Sequence, residues 1–312
     1  MLPIIKFIKR KFVKAITPSS DKDGYPYLYA RYYYWTMTRK CLSYLFPKDF
    51  NEKLFWLNRY WQHPLVVQCS DKIAVRKYVR ECGLSHILND MYATYNSEDE
   101  IDFNALPDSF VLKTNNLGGG WYIVLCKDKK SEDIEKIKNI MRCALHTRRP
   151  GVLVADYNYQ YIKPQIIAEK FITSNTGNKL EIQFFCFDGN VKHILVRNDL
   201  GDRAENSFAI SYNLNWERVK ERKDEDLNVT IDRPRYLNEM IEIAEILSKP
   251  FPHVRVDLYY VDEKIFFGEL TFTTSGKVLY NYTDETLKKW GLELKLPTKL
   301  KSKWSDYYPI YN

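Results

Sequence analysis

No apolar run in this sequence approaches the roughly 20 residues that a bilayer-spanning helix needs, so no transmembrane helix is expected. Cysteine is sparse and unpatterned. Cys41, Cys69, Cys82, Cys126, Cys143 and Cys186 form no CxxC pair and no metal-ligand spacing. They read as reduced, mostly buried thiols of a cytoplasmic protein. The five histidines are dispersed, without HExxH or a His-Cys cluster, which removes the usual zinc sites. No Gly-x-Ser-x-Gly elbow or other nucleophile motif offers covalent catalysis. Repeats, low-complexity tracts and nucleic-acid motifs are missing too, so no nucleic-acid partner is expected despite a net charge of +7. What remains, at 312 residues with 45% hydrophobic and 28% charged content, is an ordinary globular chain with room for two or three lobes.

The most informative stretch runs from His253 to Thr271 and alternates apolar and polar residues on both sides of an Asp262-Glu263-Lys264 turn, the pattern of a β-hairpin. Arg255 and Asp257 share a face of the first strand, and Ile265, Phe267, Glu269 and Thr271 share one of the second. A hairpin symmetric about Glu263 sets Asp257 opposite Glu269 and Arg255 opposite Thr271, whereas a two-residue turn slips the pairing by one. Cross-strand Cβ atoms lie about 5 Å apart, where like charges repel. Two such carboxylates call for a proton or a cation, and a hard divalent ion such as Mg²⁺ with bound phosphates suits oxygen ligands. Taken alone, the hairpin is equally a solvated polar strand face beside a core face.

Upstream, Phe110–Leu112 and Tyr122–Leu125 flank a loop with three glycines, Gly118, Gly119 and Gly120. Glycine lets the backbone approach a ligand closely, and successive N–H groups can wrap phosphate oxygens. Lys113 adds a positive charge at the strand end. The loop has no Gly-Lys-Ser/Thr ending and a strand follows it, so it is no Walker loop. A plain hairpin turn accounts for it as well.

Elsewhere, residues 4–16 mix Lys6, Lys9, Arg10, Lys11 and Lys14 with bulky apolar residues. This is the composition of a basic amphipathic helix, suited either to an anionic membrane surface or to packing on the body. The tyrosine-rich stretch from Tyr25 to Trp35 reads as core packing, and residues 26–62 as helices broken near Pro47. Ser70 is placed to cap a helix running to Val79, with Lys72 and Arg76 four residues apart. A further helix is expected over 131–148 and another over 235–247. Strands are expected over 166–172 and 180–187, with a turn at Asp188-Gly189-Asn190.

Phe50-Asn-Glu-Lys-Leu-Phe-Trp-Leu57, Asp71-Lys-Ile-Ala-Val-Arg-Lys-Tyr-Val79, Phe110-Val-Leu-Lys113, Cys126-Lys-Asp-Lys129, Ile166-Ile-Ala-Glu169, Phe184-Phe-Cys-Phe187, Val254-Arg-Val-Asp-Leu-Tyr259 and Gly268-Glu-Leu-Thr-Phe272 follow one another in this order. That series, from about Phe50 to Pro297, resembles the TupA-like (teichuronopeptide-biosynthesis) ATP-grasp family of bacterial polysaccharide loci. The resemblance implies an α+β ATP-grasp fold with two α+β lobes clasping ATP. A helical N-terminal segment over 1–69 would precede a small lobe over 70–165 and a large lobe over 166–312. It also implies residue roles. Lys72 and Lys113 match the lysines that reach ATP phosphates, and Gly118 to Gly120 the lid. Glu169 sits near the adenine edge, with backbone groups of Lys170, Phe171 and Ile172 reading the base, and Glu181 matches the ribose carboxylate. Asp257, Glu269 and Thr271 match the Mg²⁺ ligands, and Arg255 the cation facing the transferred phosphate. Two departures stand out. Thr271 occupies a position where many ATP-grasp enzymes have Asn, though the TupA-like family shares the Thr. The lid carries Asn115-Asn116-Leu117, and Thr273-Thr274-Ser275-Gly276 follows the metal-binding strand, where the family usually has other residues.

The implied activity is an ATP-dependent carboxylate–amine ligase acting through an acyl phosphate. Its partners would be a carboxylated sugar or glycan precursor, lipid-linked or a soluble nucleotide sugar, and an amine or amino acid, in the cytoplasm or at the inner face of the cytoplasmic membrane. Arg197, Arg203 and His193 either form surface salt bridges or bind the carboxylated substrate. A kinase that phosphorylates a glycan hydroxyl would use the same lysines and metal ligands, and a non-catalytic glycan-binding scaffold would need none of them.

Overall fold

The computed structural model describes residues 27–118, 122–147, 156–177, 179–198, 208–224 and 229–311. The basic stretch over 4–16, Gly119, Gly120 and Arg203 lie outside them. Two antiparallel sheets organise the chain. Strands β1 (Met91–Tyr95), β2 (Phe110–Thr114), β3 (Val124–Cys126) and β4 (Ile166–Glu169) form a four-stranded sheet in the order β1-β4-β2-β3. Strands β5 (Lys179–Phe187), β6 (Asn190–Arg197), β7 (Ala209–Tyr212), β8 (His253–Val261) and β9 (Lys264–Thr271) form a five-stranded sheet in the order β7-β6-β5-β8-β9. The boundary expected after residue 165 falls just ahead of β4, yet β4 pairs with β1 and β2 and belongs to the smaller sheet.

Helix α5 (Ile134–His146) covers the small sheet. Its Asp133 carboxylate accepts the Lys136 N–H at 3.0 Å, an N-cap that places the helix start inside the expected 131–148 span. Ile137, Met141 and Ala144 recur at helical spacing and meet Phe110, Leu112, Ile166 and Ala168. On the large sheet, alternation sends Ile182, Phe184, Val254, Val256 and Leu258 to one face. There they pack on Leu237, Met240, Ile243 and Leu247 of α6 (Leu237–Ser248).

The opposite face of the large sheet is divided. At one end Phe185 and Phe187 meet Phe50 and Leu54 of α2 (Phe50–Tyr60) and Trp290 of α7 (Asp284–Glu293). Arg255 and Asp257, the partners of Phe185 and Gln183, occupy the other end together with Glu181 of β5. Helix α2 therefore packs directly on the large sheet. In α1 (Tyr27–Thr38), Tyr29 and Tyr34 are buried against Phe55, Val278 and Trp304, so part of the tyrosine-rich stretch is core, while Trp35 remains 47% exposed. All six cysteines are free. Only Cys69, Cys126 and Cys186 are fully buried, and Cys41 and Cys143 are exposed.

No helix among the described residues is long and apolar enough to cross a membrane.

Candidate active site between the two sheets

The β8–β9 hairpin reaches the register that sets Asp257 opposite Glu269 and Arg255 opposite Thr271, by a route other than a three-residue turn. Its turn has two residues, with Val261 paired to Lys264, and both Asp262 (φ 48°) and Glu263 (φ 61°) are left-handed. These are the angles of a type I′ turn, which matches the strand twist. Such a turn alone would slip the carboxylates apart by one residue. A bulge between Asp257 and Leu258 restores the pairing, because Gly268 is the extra residue on β9. The same bulge breaks the expected face: Phe267 pairs with buried Leu258, whereas Glu269 and Thr271 stay with Asp257 and Arg255. At the tip, the Asp262 carboxylate accepts bonds from Ser174 Oγ (2.6 Å), Asn175 N–H (2.7 Å) and Thr176 Oγ1 (2.6 Å), which hold its pKa down to about 2.

A Cβ at position 268 would lie 2.8 Å from the Asp257 carbonyl oxygen and 3.2 Å from the Tyr259 ring. Backbone cannot swing aside as a side chain does. Gly268→Ala is therefore expected to cost about 1–3 kcal/mol in stability and to weaken Mg-nucleotide binding by moving Glu269 off Asp257. Urea unfolding and nucleotide titration check this; a variant unchanged in both would show that the bulge positions nothing.

Around the bulge, the charges are tightly joined. Arg255 Nε donates to Asp257 Oδ1 at 2.7 Å, and its Nη2 donates to Asp257 Oδ2, Glu269 Oε1 (3.3 Å) and Thr271 Oγ1 (3.2 Å). Thr271 Oγ1 in turn donates to Glu269 Oε1 at 2.8 Å. Burial pushes the Asp257 carboxyl well above its ordinary range, against the pull of Arg255. Burial works the same way on Glu269, but there Lys72, Arg255, the Thr271 hydroxyl and Lys113 prevail and hold its pKa below the usual glutamate value. Across β5, Gln183 donates to Glu181 at 2.8 Å, and burial raises Glu181 despite Arg255 and Arg197.

The small-sheet side supplies the facing cations. Ser70 ends α3 (Pro64–Ser70) rather than capping the next helix. The turn ahead of α4 (Val75–Glu81) is held instead by Asp71, whose carboxylate accepts the Ile73 and Ala74 N–H groups, and α4 itself begins at Ala74 without a side-chain cap, so Lys72 sits in a turn. Asn115 fixes this turn to the root of the glycine loop. Its carbonyl accepts the Lys72 N–H at 3.0 Å, and its side chain bonds Asp71, Lys163 O and Gln165 N. Lys72 Nζ donates to Leu117 O at 2.6 Å, beside exposed Gly118. Burial lowers the Lys72 ammonium below the usual lysine range, with Glu269 pulling against it and Lys113 adding to it. Lys113 Nζ pairs with Glu169 at 2.7 Å. Lys170 N–H is already bonded to Asp90 O, and Asn89 donates to the Lys170 carbonyl.

Lys72, Lys113, Glu169, Ile172 and Gly268 thus line one cleft between the sheets. It encloses only about 40 Å³, since the lysines reach across it to protein oxygens. No group of three His, Cys, Asp or Glu among the described residues is arranged to hold a metal ion. Two carboxylates and a hydroxyl nevertheless fit Mg²⁺, which is typically held by one or two carboxylates plus substrate phosphates. Glu269 is placed to offer an oxygen directly; Asp257 must share its own with Arg255.

A family model described as TupA-like ATPgrasp matches residues 52–295. The chain belongs to this family. Its fold is that of ATP-grasp proteins, and solved structures of low identity align with it. D-alanine–D-alanine ligase from Bacillus anthracis is 18% identical over 72% of this chain and 66% of its own, with a TM-score of 0.41. L-amino acid ligase from Bacillus licheniformis is 16% identical over 79% and 52%, with a TM-score of 0.45. This chain thus spans between half and two thirds of the length of these two ligases. No curated protein matches it.

In this TupA-like ATP-grasp protein several cleft residues carried no sequence signal. Arg76 lines the cleft and donates to Asn89 O at 2.7 Å, although its spacing from Lys72 had suggested only a shared helix face. Tyr259, two residues beyond Asp257, closes the same wall; period two would have pointed to it. His193 is no substrate ligand. It is buried between Glu221 (2.8 Å) and Glu293 (2.7 Å) and stacks on Trp290 at 4.3 Å. Arg197 lines a separate pocket.

Proposed function

We propose that this protein is an ATP-dependent carboxylate–amine ligase that modifies a bacterial surface-polysaccharide precursor, joining an amine or amino acid to a uronate-type carboxylate. The observation that carries the reading is that Lys72, in the turn ahead of α4, and Lys113 of β2 both act on Glu269 of β9, which stands opposite Asp257 and bonds to Arg255. ATP would enter with its triphosphate between them, replacing Leu117 O and Glu169 as partners of the two lysines. Glu169 and the backbone of Lys170, Phe171 and Ile172 would border the adenine, with Phe171 and Ile172 supplying the N–H groups because Lys170 has spent its own on Asp90. Glu181 would take the ribose hydroxyls. Asp257, Glu269 and Thr271 would hold Mg²⁺, which supplies charge neutralisation at the phosphates. Gly118, Gly119 and Gly120 would close as a lid, and the lobes are 70–165 and 166–312 but for β4.

The chemistry brings anions together. A carboxylate oxygen attacks the γ-phosphorus, the bond to the β-γ bridging oxygen breaks, and ADP leaves. Arg255 faces the transferred group and offsets its charge. The amine nitrogen then attacks the acyl carbon, phosphate departs, and an amide remains after loss of a proton. Water must be kept from the acyl phosphate, which gives the lid its purpose. The basic stretch over 4–16 would hold the enzyme at the inner face of the cytoplasmic membrane.

Product analysis tests the reading. With ATP, Mg²⁺, an acidic sugar and an amine, ADP and free phosphate should appear in step with an amide. Phosphate retained on the sugar would make the protein a kinase, and no nucleotide turnover across substrates would leave a scaffold.

A further inference from the structure

Residues 43–48, between α1 and α2, form a loop that is held at both ends and turned outward in the middle. The Glu52 carboxylate accepts the Ser43 N–H on Oε1 at 3.1 Å and the Lys48 N–H on Oε2 at 2.6 Å, so one buried side chain pins both ends. Inside the loop, the Phe46 N–H donates to Ser43 Oγ at 3.1 Å. Leu42 and Tyr44 join the core with Phe55 and Trp304. Their neighbours do the reverse: Leu45 is 80% exposed and Phe46 77%. Single exposed apolar residues are commonplace on folded proteins. Here two adjacent ones are projected into water by a loop whose hydrogen bonds keep them from folding inward.

The charge along this segment has one sign. Residues 27–48 include Arg31, Arg39, Lys40 and Lys48, all exposed, and no acid. The next carboxylates, Asp49 and Glu52, are turned inward onto backbone N–H groups. From α7, Asp284 offsets Lys40 at 3.0 Å. The chain ahead of α1 adds more cations. Tyr27, the first residue of α1, lies ring to ring with Tyr44 at 5.2 Å, so the loop tip stands beside the point where that chain joins the helix. Lys6, Lys9, Arg10, Lys11 and Lys14 lie in it among bulky apolar residues. The span 17–26 keeps them within about 35 Å of Tyr27. Two apolar side chains offer on the order of 300 Å², well short of the roughly 800 Å² per partner of a standard protein interface. Lysine is also depleted at the core of such interfaces. A lipid surface asks for no shape complementarity, only apolar side chains to insert and cations around them.

We infer that the 43–48 loop is a membrane-insertion tip. Leu45 and Phe46 enter the boundary between headgroups and acyl chains of an anionic bilayer, and Arg39, Lys40 and Lys48 meet the lipid phosphates. The inference extends the membrane placement proposed for residues 4–16, and it does not depend on the ligase reading. Loop and basic stretch belong to one chain, so two weak contacts act jointly as one stronger anchor.

The test is co-sedimentation of the purified full chain with phosphatidylglycerol–phosphatidylcholine vesicles and with pure phosphatidylcholine vesicles. Wild type should bind the anionic vesicles, and pure phosphatidylcholine at least tenfold more weakly. The double variant Leu45→Ser, Phe46→Ser should lose at least tenfold in affinity for the anionic vesicles. Its urea midpoint should hold and its nucleotide affinity stay within twofold, because neither side chain is buried or lines the cleft. Changing the five cations of 4–16 to Gln should also weaken binding, and the remainder should vanish when the two Ser changes are added. Wild type that binds neither vesicle, or a loop variant that binds as wild type does, would overturn the assignment. So would sedimentation velocity in which wild type self-associates and the loop variant does not, since a second copy then covers the loop. Binding lost in the loop variant but intact in the Gln variant would uphold the loop and sink the role given to 4–16. Loop-dependent vesicle binding by a wild type that binds no nucleotide would uphold the loop and sink the ligase reading.

Discussion

Arg255→Met is expected to lower stability by about 3–5 kcal/mol, the usual cost of stranding one partner of a buried ion pair. The variant should also reduce ATP-dependent turnover by about 10²–10³-fold, as loss of a preorganised donor does. Asp257 is the reason for the first effect. Its side chain is 1% exposed and both its oxygens accept from Arg255, so without the guanidinium it is a buried carboxylate beside Glu269. It would escape by taking a proton, as its raised pKa already favours. Two controls separate this from general damage. Arg255→Met combined with Asp257→Asn should recover most of the stability but none of the activity. Mg²⁺ should stabilise Arg255→Met more than wild type, because a cation then meets the unpaired charge. Chemical denaturation with and without Mg²⁺, alongside ADP release, reads all three. A loss under 1 kcal/mol with no Mg²⁺ dependence would mean that Arg255 does not hold the carboxylates together.

The second large effect is expected at Lys277, which has no exposed surface. Its ammonium pairs with Asp156 and lies 5.1 Å from the Phe55 ring centre. Burial raises Asp156 and lowers Lys277, each against the attraction of its partner, so the intact pair adds little net stability. Breaking it is another matter. Lys277→Met should cost about 3–5 kcal/mol, while Lys277→Met with Asp156→Leu should come close to wild type. The pair also fixes the 273–277 loop, where Ser275 (φ 50°), Gly276 (φ 62°) and Lys277 (φ 67°) are all left-handed. Ser275 lines the pocket beside Arg197. Equal losses in single and double variants would refute the pairing argument.

The hairpin shows how much the sequence could disclose. Period-two alternation places Arg255 and Asp257 on one face, whereas their pairing with Thr271 and Glu269 rests on a bulge. The turn length did not follow, because Asp262-Glu263 forms a two-residue turn and a bulge at Gly268 makes up the difference. A bulge depends on how backbones meet, as the 2.8 Å approach to Asp257 O indicates, and strand periodicity does not register it. Ser70 and Asp71 are both good caps by residue type, yet Ser70 ends α3 and Asp71 braces the turn before α4, which starts without a side-chain cap. Long-range pairs were beyond reach for a simpler reason. Lys277 and Asp156 stand 121 positions apart, and His193 lies 100 from Glu293.

The central claim is that the cleft between the sheets is a magnesium-dependent nucleotide site. Calorimetric titration of wild type and Glu269→Gln with a non-hydrolysable ATP analogue, with Mg²⁺ and again with excess EDTA, tests it most directly. The account predicts binding by wild type in Mg²⁺ that weakens at least tenfold in EDTA and in Glu269→Gln. Folded wild type that binds no nucleotide, or binds it equally with and without Mg²⁺ and in the variant, would contradict it.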